Sequence, residues 1–103
     1  HQLQGKSAEA EKELRRAAQE SPQDQTIWGN LANTYLNENK IPEAIDASRR
    51  ALKLDSKNIQ ALSALTQCLV KTGDLEGARA ACDEIEDLSP DLAQTLRARF
   101  LKP

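Results

Sequence analysis

Residues 25–58 and 59–92 of this 103-residue chain repeat one another at a fixed spacing of 34. Leu31 falls on Leu65, Ala44 on Ala78 and Leu54 on Leu88, while Trp28 meets Leu62, Tyr35 meets Leu69, Leu36 meets Val70 and Ile41 meets Leu75. The same spacing continues toward the start of the chain. Ala10, Ala44 and Ala78 form one series, Gly5, Asn39 and Gly73 a second, Ala17, Ala51 and Ile85 a third, and Pro22, Ser56 and Pro90 a fourth. Small, large and turn positions coincide together, which chance matches between Ala-rich helices do not produce. A repeat of this length is one supersecondary unit that buries its apolar face against the next copy, so the core is a row of interfaces and not a single centre.

Each period reads as two helices. The apolar residues are 15 Ala and 14 Leu against only 5 Ile, 1 Val and three aromatics, Trp28, Tyr35 and Phe100. That choice favours helices and argues against a mainly β fold. In the first helix of the middle period, Trp28, Leu31, Ala32 and Tyr35 recur at steps of three and four, one helical face. Asn39 and Gly73 then stand where a helix ends in a left-handed residue. Pro42 suits the first turn of the next helix, and Asp74 can cap the equivalent one. The second helices carry Ala44, Ala47, Ala51 and Leu52, and Ala78, Ala81, Cys82 and Ile85, ending near Leu54 and Leu88. Ser21-Pro22 and Ser89-Pro90 read as a cap followed by proline, opening the helix after each. Ala32 is expected opposite Ala44 across the hairpin, where small side chains let the axes close.

The inventory of reactive side chains excludes most chemistry. The only histidine is His1, so no histidine triad or histidine metal cluster can be assembled. Cys68 and Cys82 are not in a CxxC arrangement, and no phosphate-cradling glycine loop is present. No enzymatic activity, cofactor or metal is expected. The net charge of -2 gives no reason to expect nucleic acid. No apolar run approaches the ~20 residues that span a bilayer, so membrane insertion is not expected either. Cys68 and Cys82, on the two helices of one hairpin, read as reduced, buried, small apolar residues, with a disulfide as the alternative in an oxidising compartment.

The run Trp28-x2-Leu31-Ala32-x2-Tyr35, followed by Ala44, Ala51 and a turn position at 56, resembles the tetratricopeptide repeat, whose signature is W-x2-L-G-x2-Y and then A, F, A and P. Ser48 and Cys82 stand where that family often has a large apolar residue, and Ser56 replaces its proline. The resemblance implies an all-α fold of antiparallel helix-turn-helix repeats stacked as a right-handed superhelical solenoid. It divides a single domain, 1–103, into a partial first repeat at 1–24, full repeats at 25–58 and 59–92, and a capping helix or the start of another repeat at 93–103. Residues 1–24 match the end of a first helix and all of a second. His1 aligns with Tyr35 and methionine is absent, so the expectation is a segment of a longer array.

The resemblance also implies a non-catalytic interaction module that binds a protein or peptide partner on the concave surface lined by the first helix of each repeat. Carried over by register, that surface comprises Thr26, Gly29, Asn30, Asn33, Leu36 and Asn37, then Gln60, Ser63, Ala64, Gln67, Val70 and Lys71, then Gln94 and Arg97. Its amides, each both donor and acceptor, suit the backbone of an extended peptide, or are simply solvated. A two-carboxylate clamp of Lys, Asn, Asn, Lys and Arg, known in the chaperone-tail type of the family, is mostly absent, because its basic positions read Gly29, Gln60 and Ala64. Arg97 and Lys71 leave a modest basic corner. Residues 72–91 carry seven carboxylates (Asp74, Glu76, Asp83, Glu84, Glu86, Asp87 and Asp91) against Arg79, a local charge of -6, either a solvated face or a dock for a basic partner. The alternative function is structural self-assembly, a dimer or helix swap through uncapped repeat ends that leave Leu14 and Ile27 short of a partner.

Overall fold

The computed structural model describes residues 2–101, with side chains from Ala8 onward. His1, on which the expected start part-way along a helix rests, lies outside the described residues. Six helices follow one another: α1 (Gln2–Glu20), α2 (Gln25–Asn37), α3 (Ile41–Leu54), α4 (Ile59–Thr72), α5 (Leu75–Leu88) and α6 (Pro90–Phe100). No strand occurs among the described residues. Every helix packs on its neighbours in sequence. Beyond those, α2 packs on α4 and α4 on α6. That is the packing order of stacked hairpins.

The turns inside the hairpins form as the sequence dictates. Asn39 and Gly73 both take positive φ, +62° and +88°. The left-handed turn at Gly73 lets its own N–H and that of Asp74 return to Val70 O and Leu69 O, satisfying the last carbonyls of α4. Pro42 lies in the first turn of α3. Asp74 caps α5 by accepting from Gly77 N at 2.9 Å.

Helix starts after the hairpins differ from the expectation at one of two places. Ser89 and Pro90 do open α6. Ser21 and Pro22 do not open α2; they form a turn, and the helix begins three residues later behind Asp24, whose carboxylate accepts from Thr26 N at 3.0 Å. The indole N–H of Trp28 donates to Pro22 O at 2.8 Å and holds that turn. Asn58, 34 residues after Asp24, caps α4 in the same way through Ala61 N. In the third register this place is Leu92, which cannot cap, so α6 starts earlier at its Ser-Pro pair.

The first segment also differs. Gly5 falls in the turn series of Asn39 and Gly73, yet α1 runs through it as one helix of 19 residues. A glycine inside a helix costs only about 1 kcal/mol. The residues that enforce a turn elsewhere, Pro42 and Asp74, have Ala8 and Lys6 in the corresponding register.

Three apolar clusters form the core. Ala18, Leu31, Ala32, Ala47 and Ala64 join α1 to α4, with Leu14 and Ile27 half-buried against them instead of uncovered. Leu62, Cys82, Ile85, Ala93 and Leu96 join α4 to α6. Leu65, Leu69 and Ala78 lie between α4 and α5. Ala32 and Ala44, the pair expected at the first hairpin crossing, are both fully buried, as is Ala78 in the second hairpin. Cys68 and Cys82 are buried free thiols, and burial pushes both thiol pKa values up, which keeps them protonated and unreactive. Ser48 is also fully buried, and its hydroxyl has no hydrogen-bond partner.

A charged cluster ties α1 to the α2–α3 turn. Lys40 Nζ donates to Glu11 Oε1 at 2.7 Å, and Arg15 reaches the other oxygen at 3.3 Å. The Glu11 and Glu38 side chains are only 12% and 13% exposed. The Lys40 hydrogen bond lowers the Glu11 pKa, whereas burial, followed by the Glu11 carboxylate, raises that of Glu38. Glu38 Oε1 has no hydrogen-bond donor among the described residues, with Lys40 Nζ at 3.9 Å. Because the Glu38 pKa is raised by folding, its contribution to stability is present below the usual carboxylate value and is lost as pH rises through the folded value. Glu11 has the opposite sign: its contribution is lost as pH falls through its depressed value. Replacing Glu38 by Gln removes the buried charge and keeps the shape. We expect E38Q to gain about 1 kcal/mol at pH 7, a rise of roughly 4–8 °C in Tm, and no gain at pH 4, where Glu38 is already protonated. Thermal melts at the two pH values check this.

Candidate partner-binding face

The first helices of successive units, α2, α4 and α6, stand side by side, with α3 and α5 behind them. At the N-terminal ends of α2 and α4 the approach is closest. The Asn58 amide donates to Gln25 O at 3.3 Å and also to the Gln25 side chain, bridging the two units. A Cβ at Gly29 would stand 3.3 Å from Asn58 Nδ2 and 3.4 Å from Gln60 Oε1, so a larger residue there would make these amides give by a few tenths of an ångström. Asn58 and Gln25 were not among the expected site residues. The recurrence of an Asx residue at 24 and 58 is the signal that could have found the bridge.

Most of the expected face is present as a ridge of polar groups. Thr26, Asn37, Gln60 and Lys71 are exposed, and Asn30, Asn33, Ser63 and Gln67 are half-buried. Gln60 Nε2 donates to Asn30 Oδ1 at 2.7 Å, so these two amides join α2 to α4 and keep only part of their hydrogen-bonding capacity for a ligand. Asn33 reaches back to Gly29 O at 3.5 Å, and Gln67 reaches Ser63 Oγ at 3.4 Å, both at the long limit of a hydrogen bond. These two amides can exchange their present contacts at small cost. Leu36 and Val70 are half-buried against the core and offer apolar edges beside them. Gln94 is exposed on α6.

Three expected positions lie elsewhere. Gly29 is buried under the Asn58 and Gln60 amides. Ala64 is fully buried, packed with Ala32 and Leu31. Its methyl is short enough to sink between the helices where a longer side chain would emerge. Arg97 turns toward α5 and holds Glu86 and Asp83, each at 2.5 Å. The acidic stretch that the sequence places opposite the face is what draws it there. The basic corner therefore reduces to Lys71, and one unit of the acidic stretch's charge is offset, shared between two carboxylates.

Among the described residues no group of three or more His, Cys, Asp or Glu side chains is placed to hold a metal ion. No described helix is long and apolar enough to cross a membrane.

Comparison with known proteins agrees with this architecture. A family model described as tetratricopeptide repeat matches residues 2–48 and 38–100. The chain is 31% identical over 86 residues to N-alpha-acetyltransferase 16, NatA auxiliary subunit, of Homo sapiens, and equally to the Mus musculus protein of the same name. The match covers 84% of this chain and 10% of each relative, so the chain spans about a tenth of the length of the curated relatives it matches. Repeats of this kind are non-catalytic modules of protein–protein interaction. The chain, by its 34-residue period, its stacked hairpins and this match along nearly its whole length, belongs to the tetratricopeptide-repeat family.

Proposed function

We propose that the face formed by α2, α4 and α6 holds an extended segment of a protein partner, and that the chain serves as a non-catalytic scaffold within a larger assembly. The observation that carries this reading is the amide ridge, in which Asn33 and Gln67 make only long contacts and Asn37 stands exposed. An extended peptide backbone alternates donors and acceptors, and carboxamides can meet both. The low charge of the ridge suits backbone recognition better than capture of acidic or basic side chains. The relatives' role as an auxiliary subunit supports the scaffold reading.

Peptides selected from a random displayed library on the immobilised chain provide the probe. The double variant Asn33→Ala, Asn37→Ala should bind those that occupy this face about tenfold more weakly, with unchanged helicity by circular dichroism. Neither side chain is needed for packing. Unchanged affinity for every selected peptide would remove the ridge as the site.

A further inference from the structure

On the opposite side of α2 lies an open trench that the partner-binding face does not use. Helices α1 and α3 flank α2 with their backbones apart. Trp28, Leu31 and Tyr35 of α2 floor a cavity of ≈ 360 Å³, with Arg15 on the α1 wall and Arg50 on the α3 wall. In one direction it continues past Trp28 into a space of ≈ 450 Å³ bordered by Pro22, Lys53 and Leu54. In the other it continues into ≈ 340 Å³ beside Pro42, Glu43 and Asp46. One repeat later Leu62 and Leu69, in the register of Trp28 and Tyr35, are buried, whereas Trp28 and Tyr35 are half-buried. The half-exposed aromatic pair thus distinguishes this repeat from the next.

We propose that this trench takes a partner segment that lays one bulky apolar side chain against Trp28 and sets an acidic residue beside it, toward Lys53. The central cavity falls within the size range of sites that hold small ligands or single large side chains. Trp28 and Leu31 give the floor its apolar surface, the indole N–H being already donated to Pro22 O, and Tyr35 adds a phenolic hydroxyl. The charge is polarised along the trench. Arg50 lies over the Trp28 ring at 4.9 Å and holds Asp46 through Nε at 3.0 Å, which offsets that carboxylate. Lys53 makes no ion pair among the described residues. Leu54, 41% exposed, adds apolar surface at the same end. Glu43 at the far end has no such partner among the described residues and repels an acidic residue, so the segment has a single favoured direction.

Peptides selected from the random displayed library test this separately from the amide ridge, because Trp28 is the only tryptophan and its emission reports the trench. Peptides that shift the Trp28 emission should share an acidic residue next to a bulky apolar one. They should bind Lys53→Glu about tenfold more weakly and Asn33→Ala, Asn37→Ala as tightly as the parent chain. Lys53 is exposed and makes no ion pair among the described residues, so its replacement leaves the fold intact, as circular dichroism will confirm. Arg50→Gln, which keeps Asp46 hydrogen-bonded but removes the cation, should weaken binding in the same direction. The proposal is overturned if no selected peptide shifts the Trp28 emission, or if those that do bind Lys53→Glu undiminished. It is overturned equally if the chain alone self-associates in sedimentation and Lys53→Glu abolishes that association, because the acidic α5 of a second copy is then the occupant.

Discussion

Leu62→Ala should cost about 2–5 kcal/mol. Leu62 is fully buried and stands where α4, α5 and α6 meet, in one cluster with Ile85, Ala93 and Leu96. The surrounding helices are held by their own backbone hydrogen bonds and cannot collapse into the space, so the cavity penalty adds to the lost transfer energy. In a solenoid each unit is stabilised by its neighbours, and the loss is not shared evenly. Amide exchange should accelerate first in α6, whose attachment depends on this cluster, and least in α2 and α3. Leu14→Ala provides the contrast. Leu14 is half-buried at the other end of the stack, and its truncation should cost clearly less. Denaturant titration of the two variants checks the order.

The second large effect comes from adding volume. Ala78→Leu should cost about 1–3 kcal/mol, although leucine is nearly as good a helix former as alanine. Ala78 is fully buried between α4 and α5, packed with Leu65 and Leu69, and a leucine there must push the hairpin apart. Ala80→Leu, two residues on and exposed, is the matched control and should be close to neutral. Equal losses from the two substitutions would mean that helix propensity, not the close crossing, sets the size of residue 78.

These two predictions rest on features legible in the sequence. The recurrence of Ala at 44 and 78 and of large residues at 31 and 65 located the crossings and the core. Asn39 and Gly73 marked the turns, because positive φ has a chemical signature. The helix starts were less legible. Ser21-Pro22 and Ser89-Pro90 look alike, yet only the second opens a helix. The difference lies three residues on, where Asp24 can cap α2 and Leu92 cannot cap α6. Gly5 shows the same limit: one glycine does not end a helix when no proline or capping carboxylate follows in register.

The candidate face was legible in outline but not residue by residue. Register names the positions that point to a surface, whereas size and charge decide which side chains stay there. Gly29 has no side chain, so the amides of Asn58 and Gln60 close over it. Ala64 is too short to emerge from the core. Arg97 is long enough to reach α5 and is drawn to Asp83 and Glu86. The trench over Trp28 was not visible at all, because it depends on α1 and α3 standing apart, a relation between helices that no local pattern encodes.

The central claim is that an extended partner segment lies along α2 and α4. Site-specific photo-crosslinking tests it most directly, with a photoreactive residue placed in turn at Asn37, at Gln67 and at Glu84, and with the library peptides that respond to Asn33→Ala, Asn37→Ala as probe. Positions 37 and 67 line the amide ridge, whereas Glu84 is exposed on α5, away from it. We predict crosslinks from 37 and 67 and none from 84. Crosslinks from 84 alone would contradict the account.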